Sequence, residues 1–205
     1  MVHLKKVFLT LLLLYLSGVF ISLKEADPKP NSTKWVVLKG GSLQVTGSTN
    51  INKFTCAITG YSKSDTLTVY RTPGQAPVTL TGSLNLDVKL FDCKNPVMTS
   101  DLRKTLKAKN FPVLKITFIN LSRFPDLTEK TESIKGVVDI ELAGVVKRFD
   151  VNYKFFKDQR NAIRLIGERE VNFSDFKLIP PRKLGGMIQT DNELKVQFEI
   201  SMKQD

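Results

Sequence analysis

Residues Thr79 to Phe118 read TLTGSLNLDVKLFDCKNPVMTSDLRKTLKAKNFPVLKITF. Leu80, Gly82, Leu84, Leu86, Val88 and Leu90 share one parity, and Thr79, Thr81, Ser83, Asn85, Asp87 and Lys89 share the other. A period of two sends side chains alternately to the two faces of a sheet. One apolar face and one wet face is the pattern of an antiparallel sheet. The run predicts a single strand over 79–91, about twice the usual length, which suits the wall of a barrel. The period then changes. Met98, Leu102 and Leu106 are spaced four apart and form one stripe on a short helix over 98–109. Thr99 or Ser100 is placed to cap it, and Asp101 suits the positive end of its dipole. Pro112 limits its continuation, after which Leu114, Ile116 and Phe118 resume the alternation.

The same two-residue pattern recurs along the chain. Ile134, Gly136, Val138, Ile140 and Leu142 oppose Lys135, Asp139 and Glu141. Phe149, Val151, Tyr153 and Phe155 oppose Arg148, Asp150, Asn152 and Lys154, and Leu194, Val196, Phe198, Ile200 and Met202 oppose Lys195, Gln197, Glu199 and Ser201. Further strands are expected over 42–46, 54–60, 66–70, 114–121 and 162–171. Gly60, Pro73-Gly74, Asn95-Pro96, Gly144, Asp158 and Pro180-Pro181 punctuate them as turns. Many strands at short spacing with one short helix predict an all-β sandwich or barrel. The apolar sets are uniform, so the interior is greasy. A filled core satisfies that pattern, and so does a lined cavity; the pattern by itself favours the filled core.

The first residues read as a targeting segment. Lys5 and Lys6 precede an apolar run from Val7 to Leu23, short for a membrane span and suited to a secretory signal. A retained anchor is the other reading. Residues 24–33, KEADPKPNST, read as a polar linker, leaving 34–205 as one domain large enough for a real core. The formal charge is +11, with Lys and Arg scattered rather than clustered. A solvated basic surface accounts for this, and so does attraction to a membrane surface; an exported protein rarely meets nucleic acid, and none is expected as a partner. Oligomeric state is open. Two cysteines, Cys56 and Cys93, in an exported chain favour a disulfide, with two buried free thiols as the alternative.

Catalytic chemistry is sparse. The one histidine is His3, inside the targeting segment, so nucleophile–His pairs and His base catalysis have no mature residue to use. No Cys-x-x-Cys spacing, Walker loop or Gly-x-Gly-x-x-Gly occurs, so neither metal nor cofactor is expected. Asp92 and Asp101 are the candidate carboxylates, and such residues serve more often as caps and turn formers. The chain is therefore not expected to be an enzyme.

Four segments in order resemble the YceI-like family of exported lipid-binding β-barrels. They are the strand, Cys turn, short helix, Phe111-Pro112 and strand of 79–118; Gly47 to Ile58; the Gly136 to Val151 hairpin; and Phe173 to Pro181 followed by Gly185-Gly186 and the run to Met202. Together they span roughly Trp35 to Lys203. The resemblance implies a lipocalin-like antiparallel barrel of about eight strands, periplasmic or secreted. It also implies a cavity that carries an isoprenoid, quinone or other long-chain lipid, with transient contact to a membrane surface. Its implied lining is Leu84, Leu86, Val88 and Leu90 from the long strand, Met98, Leu102 and Leu106 from the helix, and Ile116, Phe118, Val138, Ile140, Phe149, Val151 and Phe155 from neighbouring strands. Phe173, Phe176 and Phe198 complete it. Asn95, Ser100, Asp101 and Arg103 would meet a head group. The chain departs from the family at Cys93-Lys94-Asn95-Pro96, where a Thr-Gly turn is commoner. The alternative function is a non-enzymatic stress-response or interaction module whose barrel is filled by its own side chains.

Overall fold

The computed structural model describes residues 31–72, 74 and 76–205; the targeting segment and most of the expected linker lie outside the described residues. Among the described residues, twelve strands, β1 (Asn31–Val37), β2 (Gly41–Thr49), β3 (Lys53–Tyr61), β4 (Thr66–Arg71), β5 (Val78–Thr81), β6 (Ser83–Asp87), β7 (Val113–Leu121), β8 (Glu132–Leu142), β9 (Val145–Lys157), β10 (Ile163–Asn172), β11 (Arg182–Lys183) and β12 (Ile188–Gln204), surround one interior, with one α-helix, α1 (Pro96–Thr105). All the pairings are antiparallel. The wall runs β5 or β6, then β7, β8, β9, β10 and β12 without interruption.

The barrel closes twice. Residues 202–204 of β12 pair with β1, which pairs with β4, which pairs with β5. That ladder closes the lower half as a ring of eight strands. Higher up, β12 pairs instead with β2, and β2 with β3. The upper ring then lacks a continuous ladder between β3 and β6. An isolated bridge fills the seam, with the Ala57 amide donating to Asp92 O and the Asp92 amide to Ala57 O, each at 2.9 Å. The Cys56–Cys93 disulfide lies beside it. Below, Tyr61 donates its hydroxyl to Asp65 and accepts from the Asn85 amide at 3.3 Å. Burial first, and the Asp65 hydrogen bond second, push the Tyr61 phenol well above its ordinary range.

Three expectations need correction. The strand expected over 79–91 is broken. Gly82 takes φ +129°, with its Cα face against the Thr66 carbonyl and Leu67 where no Cβ fits, so the chain slips one residue on β7 between β5 and β6. After Asp87, whose carboxylate caps the Lys89 amide, Val88–Leu90 form a 3₁₀ turn. The period becomes three, so Val88 and Phe91 face inward and Leu90 is 58% exposed. Leu90 is therefore not an interior residue. Second, Asn31 to Thr33, read as linker, belong to β1 and pair with β4 from Asn31 to Arg71 onward. β1 escapes notice because only Trp35 and Val37 carry its buried face. Third, α1 starts at Pro96 and is capped by the Asn95 side chain, which accepts from the Met98 amide at 3.0 Å. Proline needs no amide partner at the first helical position, so Asn-Pro starts the helix that Thr99 and Ser100 were expected to cap. The Thr99 hydroxyl accepts from the Cys93 amide instead.

The disulfide spans 37 positions. Replacing both cysteines, as Cys56→Ser with Cys93→Ser, is expected to cost about 4 kcal/mol by chain-entropy arithmetic, read from urea unfolding. A second expectation concerns acid. Backbone amides, Lys94 above all, hold Asp92 below the usual carboxylate range; the Arg148 hydrogen bond does so for Asp139, and the Ala162 amide for Asp158. Carboxylates depressed by folding add stability that is fully present above the unfolded value of about 3.9 and is lost as pH falls through the folded value. The urea midpoint should be flat from pH 7 to about 5 and fall steeply below about 4. A midpoint that rises on acidification would contradict these pairings.

Candidate functional site

The interior is divided into two parts by three rings. Phe118 from β7, Tyr153 from β9 and Phe198 from β12 form a closed triangle, with centroids 6.3 Å (Phe118 to Tyr153), 6.0 Å (Phe118 to Phe198) and 6.1 Å (Tyr153 to Phe198) apart. The strands supply seats for two of them. A Cβ at Gly167 would lie 2.2 Å from the Phe198 ring, and one at Gly136 would lie 2.6 Å from the Tyr153 ring. Glycine at these two wall positions lets the rings pack directly against the wall, Phe198 edge-on to Tyr153. Beneath the triangle, Phe155, Trp35 and Phe124 continue the stack at centroid distances of 5.9 to 6.0 Å. Leu67, Ile163, Leu165 and Met202 are fully buried around them. The lower half is a filled core.

Above the triangle lies an apolar cavity of about 60 Å³. α1 roofs it with Leu102 and Leu106, β7 and β8 wall it with Ile116 and Ile140, and the 3₁₀ turn Phe173–Phe176 closes a corner with both its phenylalanines. That turn is held by the Asp175 carboxylate, which accepts from the Asn172 amide at 2.8 Å. Asn172 is the one polar residue among the described lining, and the surface the cavity exposes is wholly apolar. It offers no acid, base or nucleophile to a molecule inside it.

Of the expected lining residues, Leu102, Leu106, Ile116, Ile140, Phe173 and Phe176 meet at this cavity. Phe118 and Phe198 do not line it; each is buried two residues along its strand from a lining residue, Ile116 and Val196. Leu84, Leu86, Val88, Val138, Phe149, Val151 and Phe155 are buried in the continuous core without lining it, and Met98 packs half-buried against that core. Leu90 points outward. Leu43, Val45, Phe91, Leu178 and Val196 line the cavity and were not expected to. The signal for Val196 was present in its alternation with Phe198; Phe91 was hidden by the change of period at Val88. The expected head-group residues sit outside the cavity. Asn95 caps α1, Arg103 donates to the Phe91 carbonyl at 2.8 Å, Asp101 pairs with Lys183, and Ser100 is exposed on the outer face of α1.

Comparison with solved structures shows what this arrangement is similar to. BcnA of Burkholderia cenocepacia superposes with a TM-score of 0.57 at 12% identity, over 78% of this chain and 95% of that one. A polyisoprenoid-binding domain from Saccharophagus degradans, implicated in plant cell wall breakdown, gives 0.58 at 11% identity, over 83% and 98%. The Campylobacter jejuni YceI protein gives 0.50 at 15% identity, over 70% and 82%. The chain has the YceI-like fold. No protein-family model matches its sequence, and no curated protein does. Within that YceI-like barrel the three-ring cluster separates the residues that line the cavity from the filled lower core.

Tyr153 is an informative member of the layer. Its hydroxyl is buried with no hydrogen-bond partner among the described residues, and burial drives its phenol far above the ordinary range. An unpaired buried hydroxyl costs about 1–3 kcal/mol. Tyr153→Phe keeps the ring and removes that cost, so it should raise unfolding stability by about 1 kcal/mol. A loss of stability on this change would mean that the hydroxyl has a partner in solution.

Proposed function

We propose that this protein is an exported, non-enzymatic binder of an apolar chain of isoprenoid or quinone type, held between α1 and the Phe118–Tyr153–Phe198 layer. The observation that carries the reading is the apolar cavity roofed by a helix inside a YceI-like barrel. The polyisoprenoid-binding domain among the structural neighbours supports the ligand class, and the disulfide supports export to a periplasmic or secreted location. The residues proposed to touch the chain are Leu102, Leu106, Ile116, Ile140, Phe173 and Phe176, with Phe118 and Phe198 stopping it. At about 60 Å³ the cavity has space for about four or five waters, so a chain enters by lifting Leu102 and Leu106. The layer lies level with Phe198 and the top of the wall level with Leu194, four residues or about 13 Å along a strand. The favoured ligand is therefore short, or is a long one whose remainder stays outside. The filled lower half favours a second reading, an interaction module that takes no lipid.

Prenyl alcohols of two, three, four and eight isoprene units separate these readings, with binding followed by native mass spectrometry. The wild type should gain about tenfold or more in affinity from two units to three and little thereafter. Phe198→Leu, which thins the layer, should carry the gain on to four units. Ile140→Arg should stay folded and bind none. Failure of the wild type to bind any chain, with none extracted from protein isolated from its own cells, would establish the filled-barrel module instead.

A further inference from the structure

Among the described residues, eleven large apolar side chains are exposed, and nine of them lie at one end of the barrel, the end roofed by α1. Leu90 and Val97 flank the entry to the helix, and Phe111 and Val113 follow its exit. Val146 stands on the β8–β9 hairpin, against whose Gly144 the Phe111 ring rests. Ile51 tips the β2–β3 hairpin, where the Asn50 side chain donates to the Met187 carbonyl at 2.9 Å. The segment between β10 and β12 adds Ile179 (81% exposed), Leu184 and Met187. The Lys183–Asp101 ion pair ties that segment to α1. The other two, Leu38 and Tyr70, lie towards the closed end and on the lower wall.

The same end is cationic. A groove along the outer face of α1 is lined by Lys89, Lys94, Arg103, Lys104, Lys107 and Lys109, with Asp92 as its one carboxylate, and Asp92 is paired with Lys94 at 3.2 Å. Asp101 is likewise taken up by Lys183. Scattered apolar exposure is ordinary for a soluble protein, but its concentration on one face marks a contact surface. Apolar side chains on protruding hairpins and turns, set among lysines, suit the boundary of a bilayer. There apolar tips insert among acyl chains and ammonium groups meet anionic head groups.

We propose that the α1 end of the barrel docks on the surface of an anionic phospholipid bilayer, with Val97, Ile179, Leu184 and Met187 inserted and the α1 groove facing the head groups. This places the roof of the cavity against the membrane, so α1 would lift where lipid is at hand. The inference goes beyond ligand binding and stands whether or not the cavity takes a chain.

Tryptophan quenching by brominated lipid tests it with the full chain. The one native tryptophan, Trp35, is buried in the lower half. Val97→Trp and, separately, Leu38→Trp place a reporter at the two ends; the chain before Asn31 is common to both. With phosphatidylglycerol vesicles brominated on the acyl chains, Val97→Trp should be quenched and Leu38→Trp should not. Adding Lys104→Ala and Lys107→Ala to the Val97→Trp protein should raise the lipid concentration at half-quenching about 25-fold, at about fivefold per cation. Molar salt should do the same. Equal quenching of both reporters, quenching of neither, or equal response to brominated phosphatidylcholine vesicles would overturn the proposal.

Discussion

The upper barrel depends on one short closure. Seven of the eight contacts around that ring are ladders of backbone hydrogen bonds, but the seam between β3 and the β6 segment has no continuous ladder and is held by the two-bond Ala57–Asp92 bridge, the Cys56–Cys93 disulfide and the Asn85 amide's bond to the Tyr61 hydroxyl. A sheet that curls without closing leaves two edges with unpaired amides and carbonyls. Here the covalent bond holds those edges together where the ladder is too short to do so. It also fixes the chain just before Asn95, and so the start of α1. Thr99 strengthens the link, because its hydroxyl accepts from the Cys93 amide. The roof of the cavity is thus anchored to the seam of the wall.

The two halves of the interior follow different packing rules. Below the three-ring layer the core is filled by aromatic and branched side chains, which contribute stability through burial and dispersion. Above it, side chains from the wall, α1 and the Phe173–Phe176 turn leave an apolar space. The difference traces to Gly136 and Gly167. Side chains at those two positions would clash with the Tyr153 and Phe198 rings, and the rings would have to stand away from the wall. With glycine there they pack against the wall and still meet Phe118, at centroid distances of 6.3 Å for Tyr153 and 6.0 Å for Phe198. A few wall residues therefore decide how much of the barrel is available to anything but itself.

The α1 end joins several features that arise in distant parts of the chain. Ile51, Val97, Val146 and Met187 belong to four different segments, and each alone is an unremarkable exposed apolar residue. The ladder registers bring the β2–β3 hairpin, the β8–β9 hairpin and the start of β12 to one rim. The cations of the α1 groove come mostly from a single stretch, 89–109. The overall charge of +11 is spread in sequence; folding leaves that stretch's share facing outward beside the apolar rim.

Much of the architecture was legible because alternation is a local property. The inward parity of Leu84, Leu86 and Val88, of Val138, and of Phe149 to Phe155 needs only the two-residue period of a strand, and the four-residue stripe of Leu102 and Leu106 located the helix. The local reading failed where the period changed, at Leu90, and where a strand was too short and polar to announce itself, at Asn31 to Val37. By itself the sequence determined an antiparallel β protein with one short helix, an apolar interior and a pair of cysteines placed to cross-link. It could not say which interior residues enclose a void. That depends on the register between β7, β9 and β12, which sets Phe118, Tyr153 and Phe198 at one height. Volume left over after packing is a sum over residues remote in the chain, so only the tertiary structure decided where the cavity lies and which end of the barrel faces outward with its apolar side chains bare.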